Sequence, residues 1–175
     1  INKEHVSKIK ETGTLTFGYI SIMELQNWDK KFVSKVKESD YLLDNAEKIY
    51  IDKWDTYLMD ITSTRYQQLL INEIEEEIIQ KKFDGIFLDT VGDIDDFYHD
   101  NEEMSDHLRA GYHVLLQTIA QKYPDMLLIQ NWGFPTLKTT SKNYVDGIMW
   151  EGFNKKQLTN SQWGQKWIEY LQMLQ

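Results

Sequence analysis

The chain has 175 residues, of which 41% are hydrophobic and 13% aromatic, a composition typical of one folded domain rather than of a disordered chain. Its net charge of −9 argues against nucleic acid and anionic membranes as partners, because both need clustered lysine and arginine, but it is compatible with a cationic substrate. The absence of cysteine excludes disulfides, zinc–thiolate sites and cysteine nucleophiles, and no apolar run approaches the roughly 18 residues of a membrane span.

Five short apolar runs predict β-strands. The runs are nearly continuous and rich in β-branched or aromatic residues, which is typical of strands buried on both faces of a parallel sheet. In chain order they cover residues 14–20, 56–61, 84–89, 126–131 and 145–151.

Amphipathic patterns predict helices between and after these strands. They cover residues 30–37, 64–82, 104–119 and 163–174. Ser161 is a suitable cap for the last helix, and Pro124 ends the third before the next strand. The alternation of strands and helices predicts right-handed βαβ units around a parallel sheet, in a single α/β domain that spans residues 1–175.

Two architectures fit this order, an open doubly wound sheet and a (β/α) barrel. Neither the G-x-G-x-x-G turn of dinucleotide-binding sheets nor the phosphate-binding G-x-x-x-x-G-K-[ST] loop occurs in the sequence. The dinucleotide-binding version of the open sheet is therefore not predicted.

Polar residues follow each predicted strand at its carboxyl end, the edge of the sheet that holds the active site in βα folds. Asp89 and Glu151 directly extend strands that should be buried, so each carboxylate is expected on a rigid element. Asp93, Asp95 and Asp96 instead favour helix-capping and turn roles. The other polar or aromatic residues at this edge are Tyr19, Glu24, Asp60, Asn131, Trp132 and Trp150.

The pair formed by Asp89 and Glu151 suits glycoside hydrolysis. In that reaction one carboxyl group gives a proton to the leaving oxygen, while the other stays ionised to attack the sugar or to activate water. We predict Asp89 as the general acid/base and Glu151 as the nucleophile or base, and the reverse assignment fits the sequence nearly as well. Tyr19, Trp132 and Trp150 are suited to stack on sugar rings.

Two other classes of function remain open. A divalent cation held by Asp89, Asp93, Asp95, Asp96 and Glu151 would support metal-dependent hydrolysis, but the order of an EF-hand loop is missing. There is also no H-E-x-x-H or G-x-S-x-G motif, so we expect no metal and no cofactor. The competing class is a non-catalytic carbohydrate-binding or assembly protein.

Four stretches of the sequence resemble glycoside hydrolase family 114, the endo-α-1,4-polygalactosaminidase family. They are GYISIMELQNW, FDGIFLDTVGDIDDF, LIQNWG and VDGIMWEGF, and the likeness covers residues 14–153. The sequence departs from the family at Met23 and Lys82, where the family has glycine.

The resemblance implies a TIM-barrel fold and two catalytic carboxylates, which fall on Asp89 and Glu151. It also implies that the substrate is contacted by Tyr19, Glu24, Asp60 and Asn131. The implied substrate is a partly deacetylated, cationic galactosamine polymer, and the implied enzyme is bacterial, exported, and active outside the cell or at its surface.

A full barrel takes about 250 residues. Because about five strands are predicted here, we expect an incomplete TIM-type barrel. The chain begins at Ile1 rather than at a methionine, so we also expect it to be a fragment or a processed piece.

Overall fold

The computed structural model of the chain describes residues 1–174, and we number its elements in chain order. The strands are β1 (Phe17–Ser21), β2 (Glu24–Gln26), β3 (Leu43–Asp44), β4 (Glu47–Lys48), β5 (Tyr50–Ile51), β6 (Thr56–Leu58), β7 (Gly85–Asp89), β8 (Leu127–Asn131) and β9 (Gly147–Met149). The α-helices are α1 (Lys3–Lys10), α2 (Lys30–Val33), α3 (Thr64–Ile74), α4 (Asp93–Asp96), α5 (Glu102–Lys122), α6 (Phe134–Thr136), α7 (Lys155–Leu158) and α8 (Gln162–Met173). A 3₁₀ turn covers Glu38–Asp40, and π-helical turns cover Glu75–Ile79 and Leu137–Ser141.

A four-stranded parallel sheet lies at the centre of the fold, in the order β1-β7-β8-β9. Its register pairs Ser21 with Asp89, and Asn131 with Met149. Because all four strands run in the same direction, their carboxyl ends meet at one edge of the sheet. The predicted α/β class with a parallel sheet is confirmed.

The second predicted strand does not belong to this sheet. Residues 56–61 contribute β6, which pairs antiparallel with β2 and β5 in a separate three-stranded sheet. The parallel sheet therefore has four strands rather than about five, because β1 pairs directly with β7 and leaves no position between them. The burial of β6 alternates from Thr56 to Leu58, which is typical of an antiparallel strand with one face on the core.

Helices form in three of the four predicted amphipathic segments, 64–82, 104–119 and 163–174. The prediction for residues 30–37 is only partly right, because α2 ends at Val33. On α3 and the turn after it, Tyr66, Leu70, Ile74 and Ile78 are all buried, as the four-residue spacing predicts. On α5, the core stripe contains Leu108, Tyr112, Leu115 and Ile119. The last helix differs, because Trp167 is buried whereas Trp163 at its start is 47% exposed.

At Gly111, helix α5 lies close to the backbone of the segment between β6 and α3. A Cβ atom at this position would lie 2.8 Å from the carbonyl oxygen of Ile61 and 2.9 Å from the Cα atom of Thr62. The side chain of Gln67 ties the same region together, since its Nε2 donates to the carbonyl oxygens of Ile61 (2.8 Å) and Gly111 (2.9 Å).

We therefore expect Gly111→Ala to lower the free energy of unfolding by about 1–3 kcal/mol, because the added methyl group must push backbone atoms apart. This overpacking outweighs the roughly 1 kcal/mol that alanine gains over glycine inside a helix. Urea denaturation of the variant and the parent measures the difference. A variant as stable as the parent, or more stable, would show that the two segments can separate without cost.

Candidate active site

A cleft of about 650 Å³ opens where the strands of the parallel sheet end. Six carboxylic acids line it: Glu24, Asp89, Asp93, Asp95, Asp96 and Glu151. The aromatic residues of its lining are Tyr19, Trp28, Trp54, Trp132, Phe134 and Trp163. Within residues 1–174, no lysine or arginine is part of this lining, so its carboxylates give the cleft a negative potential.

Asp89 is the last residue of β7, and its carboxylate is held in a fixed orientation. Its Oδ1 accepts hydrogen bonds from the backbone N–H of Thr90 (2.8 Å) and from Nδ2 of Asn131 (2.8 Å). Thr90 lies in the left-handed region with a φ of +62°, which is unfavourable for a β-branched residue. Its hydroxyl also accepts from the backbone N–H groups of Ile22 (3.1 Å) and Met23 (2.8 Å), which keep the strained turn in place.

Tyr19 lies beside Asp89 on the neighbouring strand β1. Its hydroxyl accepts a hydrogen bond from Nε2 of Gln26 (3.0 Å), and its ring stacks on Phe87 at 6.4 Å between ring centroids. Burial and the nearby Asp89 carboxylate raise the pKa of Tyr19 far above its usual value. The hydroxyl therefore keeps its proton and can donate it to a hydrogen bond in the cleft.

Asn131 ends β8 and is almost fully buried, although it lines the cleft. Its Nδ2 is used by Asp89, whereas its Oδ1 is buried and has no hydrogen-bond partner among residues 1–174. A buried acceptor without a partner costs free energy unless a ligand satisfies it. The arrangement suits a substrate group that donates a hydrogen bond next to Asp89.

Glu24 and Asp93 form a second pair of carboxyl groups in the cleft. Oε2 of Glu24 accepts from the hydroxyl of Thr56 (2.7 Å), and Oδ2 of Asp93 is buried without a hydrogen-bond partner in the described part of the chain. Burial, reinforced by the neighbouring charge of Glu24, raises the pKa of Asp93 to about 9. Asp93 is therefore protonated at neutral pH, while the sequence favoured a capping role for it.

Glu151 follows β9 by two residues and is exposed, but it lines the same cleft as Asp89. The structure thus brings together most of the predicted residues in one solvent-reachable site: Tyr19, Glu24, Asp89, Asn131, Trp132 and Glu151. The roles assigned to these residues stay predictions.

Two predicted site residues lie elsewhere. Asp60 does not line the cleft, because its Oδ1 is used locally by the backbone N–H (2.9 Å) and the hydroxyl (2.6 Å) of Thr62. Trp150 also lies outside the lining, since its ring packs on Phe134 at 4.6 Å and on Trp163 at 5.5 Å. Asp60 therefore stabilises a local turn, and Trp150 packs behind Phe134 and Trp163, which line the cleft.

The acidic residues after Asp89 have different roles. Asp95 makes structural contacts, because its Oδ1 accepts from Arg109 (2.6 Å) and from the hydroxyl of Thr136 (3.0 Å). Asp96 lies at the rim of the cleft. Partial loss of its hydration, and to a smaller extent the charge of Asp95, raise its pKa. In the described residues, no three carboxylate or imidazole groups are arranged to hold a metal ion.

Several lining residues were not predicted from the sequence. Gln26, Trp28, Trp54 and Thr56 lie on or next to the small antiparallel sheet, whose position over the cleft depends on pairing between distant segments. Trp163 was assigned to a helix core stripe, yet about half of its surface is exposed to the cleft side. In residues 1–174, no helix is long and apolar enough to span a membrane.

Comparisons with known proteins identify the family and the fold of the chain. A family described as hypothetical glycosyl hydrolase family 15 matches residues 19–175. Among curated proteins, none is significantly similar in sequence. The solved glycoside hydrolase domain of PelA from Pseudomonas aeruginosa is 18% identical, with a TM-score of 0.70 over 99% of this chain and 69% of that one.

Ega3 from Aspergillus fumigatus, solved in complex with galactosamine, is 19% identical to this chain. Its TM-score is 0.65, over 84% of this chain and 54% of that one. At these identities the similarity establishes the fold, and it confirms the prediction of a partial TIM-type barrel. The glycoside hydrolase resemblance of the motifs is also confirmed, since the family match covers most of the sequence. The chain belongs to hypothetical glycosyl hydrolase family 15.

Proposed function

We propose that this protein hydrolyses a galactosamine-containing polysaccharide, with Asp89 and Glu151 as the two carboxyl groups of the reaction. The observation that supports this most directly is that both side chains line one cleft, although they come from the ends of different strands. Glycoside hydrolysis needs such a pair on two sides of the scissile bond. The endo-acting, α-1,4-specific activity of the resembled family is part of this proposal.

The surroundings of the two groups favour the reverse of the roles predicted first. Asp89 accepts two hydrogen bonds at Oδ1 and has the Tyr19 hydroxyl beside it, so hydrogen-bond donors orient it as a nucleophile or base requires. Glu151 is exposed and lines the same cleft. In our assignment Glu151 protonates the glycosidic oxygen as the bond to the anomeric carbon breaks. Asp89 attacks that carbon or removes a proton from the attacking water.

The electrostatics of the cleft support an amino-sugar substrate. Six acids and no lysine or arginine line it in the described part of the chain. Asp93 is protonated and Asp95 is paired with Arg109, but the remaining carboxylates attract a cationic polymer and repel a phosphorylated or sulfated one. Ega3, which shares the fold, was solved with galactosamine. We also propose that the protein acts outside the cell, where large polysaccharides are found.

The direct test is incubation with an α-1,4-linked galactosamine polymer, prepared fully deacetylated and fully N-acetylated. We expect new reducing ends from the deacetylated polymer at least about 10-fold faster, because its ammonium groups complement the acidic cleft. Cleavage of both forms at equal rates would contradict the electrostatic argument. Binding without new reducing ends would favour the alternative of a carbohydrate-binding protein, which the exposed tryptophans at the cleft would also suit.

A further inference from the structure

Two tryptophans at the β1 side of the cleft are unusually exposed. Trp28 is 69% exposed and Trp54 is 60% exposed, and both line the cleft. Large aromatic side chains left in water next to a cleft are typical of a binding surface. A flat, exposed indole ring is well suited to stack on the apolar face of a sugar.

The two tryptophans are held on a rigid support. Asn27, next to Trp28, donates from its backbone N–H to the carbonyl oxygen of Asp55 (3.2 Å) and from Nδ2 to Oδ1 of Asp55 (2.7 Å). Asp55 directly follows Trp54, and it also accepts from the hydroxyl of Tyr50 (2.8 Å). The turns that carry the two rings are therefore tied to each other, so little conformational entropy is lost when a ligand binds.

The hydrogen bonds of the support also favour the ionised form of Asp55. Hydrogen bonds from Asn27 and Tyr50 lower the pKa of Asp55, so the carboxylate stays an acceptor under mildly acidic conditions. On one face of the Trp54 ring, Nζ of Lys53 lies 4.4 Å from the centroid. Trp54 is still 60% exposed, which leaves surface for a ligand.

Polar side chains connect the two tryptophans to the centre of the cleft. Gln26 lies two residues before Trp28, lines the cleft and donates to the hydroxyl of Tyr19 (3.0 Å), which lies beside Asp89. A second group of aromatic residues lies on the β8–β9 side of the cleft. It consists of Trp132 and Trp163, whose ring centroids are 6.2 Å apart. Asp89 on β7 lies between the two groups in the sheet order.

We propose that Trp28 and Trp54 form a stacking platform for sugar units of the substrate chain beyond the scissile bond, on the β1 side of the cleft. The inference rests on the proposed function and extends it to the length of substrate that is recognised. Engagement of aromatic rings on both sides of Asp89 requires several consecutive sugar units. The enzyme is then selective for long chains and cleaves them internally.

The test compares Trp28→Ala, Trp54→Ala and the double variant with the parent on galactosamine oligomers of two to twelve units. The readout is the ratio of kcat/KM on the longest oligomer to kcat/KM on the shortest that is cleaved. We expect this ratio to fall at least about 10-fold in the double variant, because two stacking contacts are lost. Trp28→Tyr with Trp54→Tyr should restore most of it, since an aromatic ring is kept.

Calorimetry on tryptophan variants that also carry Asp89→Asn measures binding of the oligomers without cleavage. Affinity for the twelve-unit oligomer should fall at least about 10-fold when both tryptophans are removed. If the parent cleaves the polymer and the double variant keeps both the kcat/KM ratio and the affinity of the parent, the platform is overturned but the proposed function is not. A parent protein that neither binds nor cleaves the oligomers would overturn the proposed function, and the platform with it.

Discussion

Replacing Asp89 by asparagine should reduce kcat on the galactosamine polymer at least about 100-fold, because the group proposed to attack the sugar or activate water loses its charge. Asparagine keeps the size of the side chain, and its Oδ1 can still accept from Thr90 and Asn131. The fold and the affinity for substrate should therefore change little. Reducing-end release by the purified variant measures the effect, with circular dichroism as the check on folding.

Glu151→Gln should cause a loss of similar size on the polymer, but it is distinguished by the leaving group of the substrate. An aryl glycoside with an acidic phenol needs little protonation, so Glu151→Gln should recover most of the lost rate on it, whereas Asp89→Asn should not. Exposed acids outside the cleft provide matched controls, and Asp125→Asn and Glu169→Gln should keep the parent rate. Full activity in both cleft variants would refute the assignment of the pair.

The edge that carries the candidate site could be predicted because it depends on local features of the sequence. Apolar runs that end in a carboxylate or an amide identify Asp89, Asn131 and Glu151, and parallel pairing necessarily brings their strand ends to one edge. Strand 56–58 was misplaced because its short alternating pattern fits either sheet. The pairing partner of a strand is decided by distant residues, here those of β2 and β5.

The same limit explains the residues that were missed. Trp28 and Trp54 reach the cleft because Asn27 and Asp55 connect two turns that are far apart in the chain. Asp93 follows a strand end closely and resembles a helix cap, and its burial against Glu24 is a tertiary property. Local patterns therefore identify the elements that carry the site, whereas the protonation states and distal contacts depend on the packed structure.

Asp93 gives the second large effect, which concerns stability rather than rate. Its pKa is about 9 in the folded protein, where burial and Glu24, Asp96 and Asp89 oppose its charge. In an unfolded chain an aspartate has a pKa of about 3.9. Between these values the folded state binds more protons than the unfolded state, so the contribution of Asp93 to stability is fully present below about pH 4 and is lost as pH rises toward 9.

Asp93→Asn should remove this loss, because asparagine stays neutral at every pH and has nearly the same shape. We expect the variant to be more stable than the parent by about 2 kcal/mol or more at pH 8, which corresponds to roughly 4–8 °C in Tm for a chain of this size. Near pH 4 the two proteins should unfold at nearly the same temperature. Thermal unfolding at several pH values between 4 and 9 measures the difference.

Two further variants separate the charge of Asp93 from simple changes in packing. Glu24→Gln removes the neighbouring charge. The stability change caused by Asp93→Asn should therefore depend less on pH in the Glu24→Gln protein than in the parent. The exposed control Asp125→Asn should give no such dependence. A stability difference for Asp93→Asn that is constant from pH 4 to 9 would contradict a protonated Asp93. If the difference grows with pH, the protein keeps an uncharged acid in its cleft at a cost in stability, as functional sites often do.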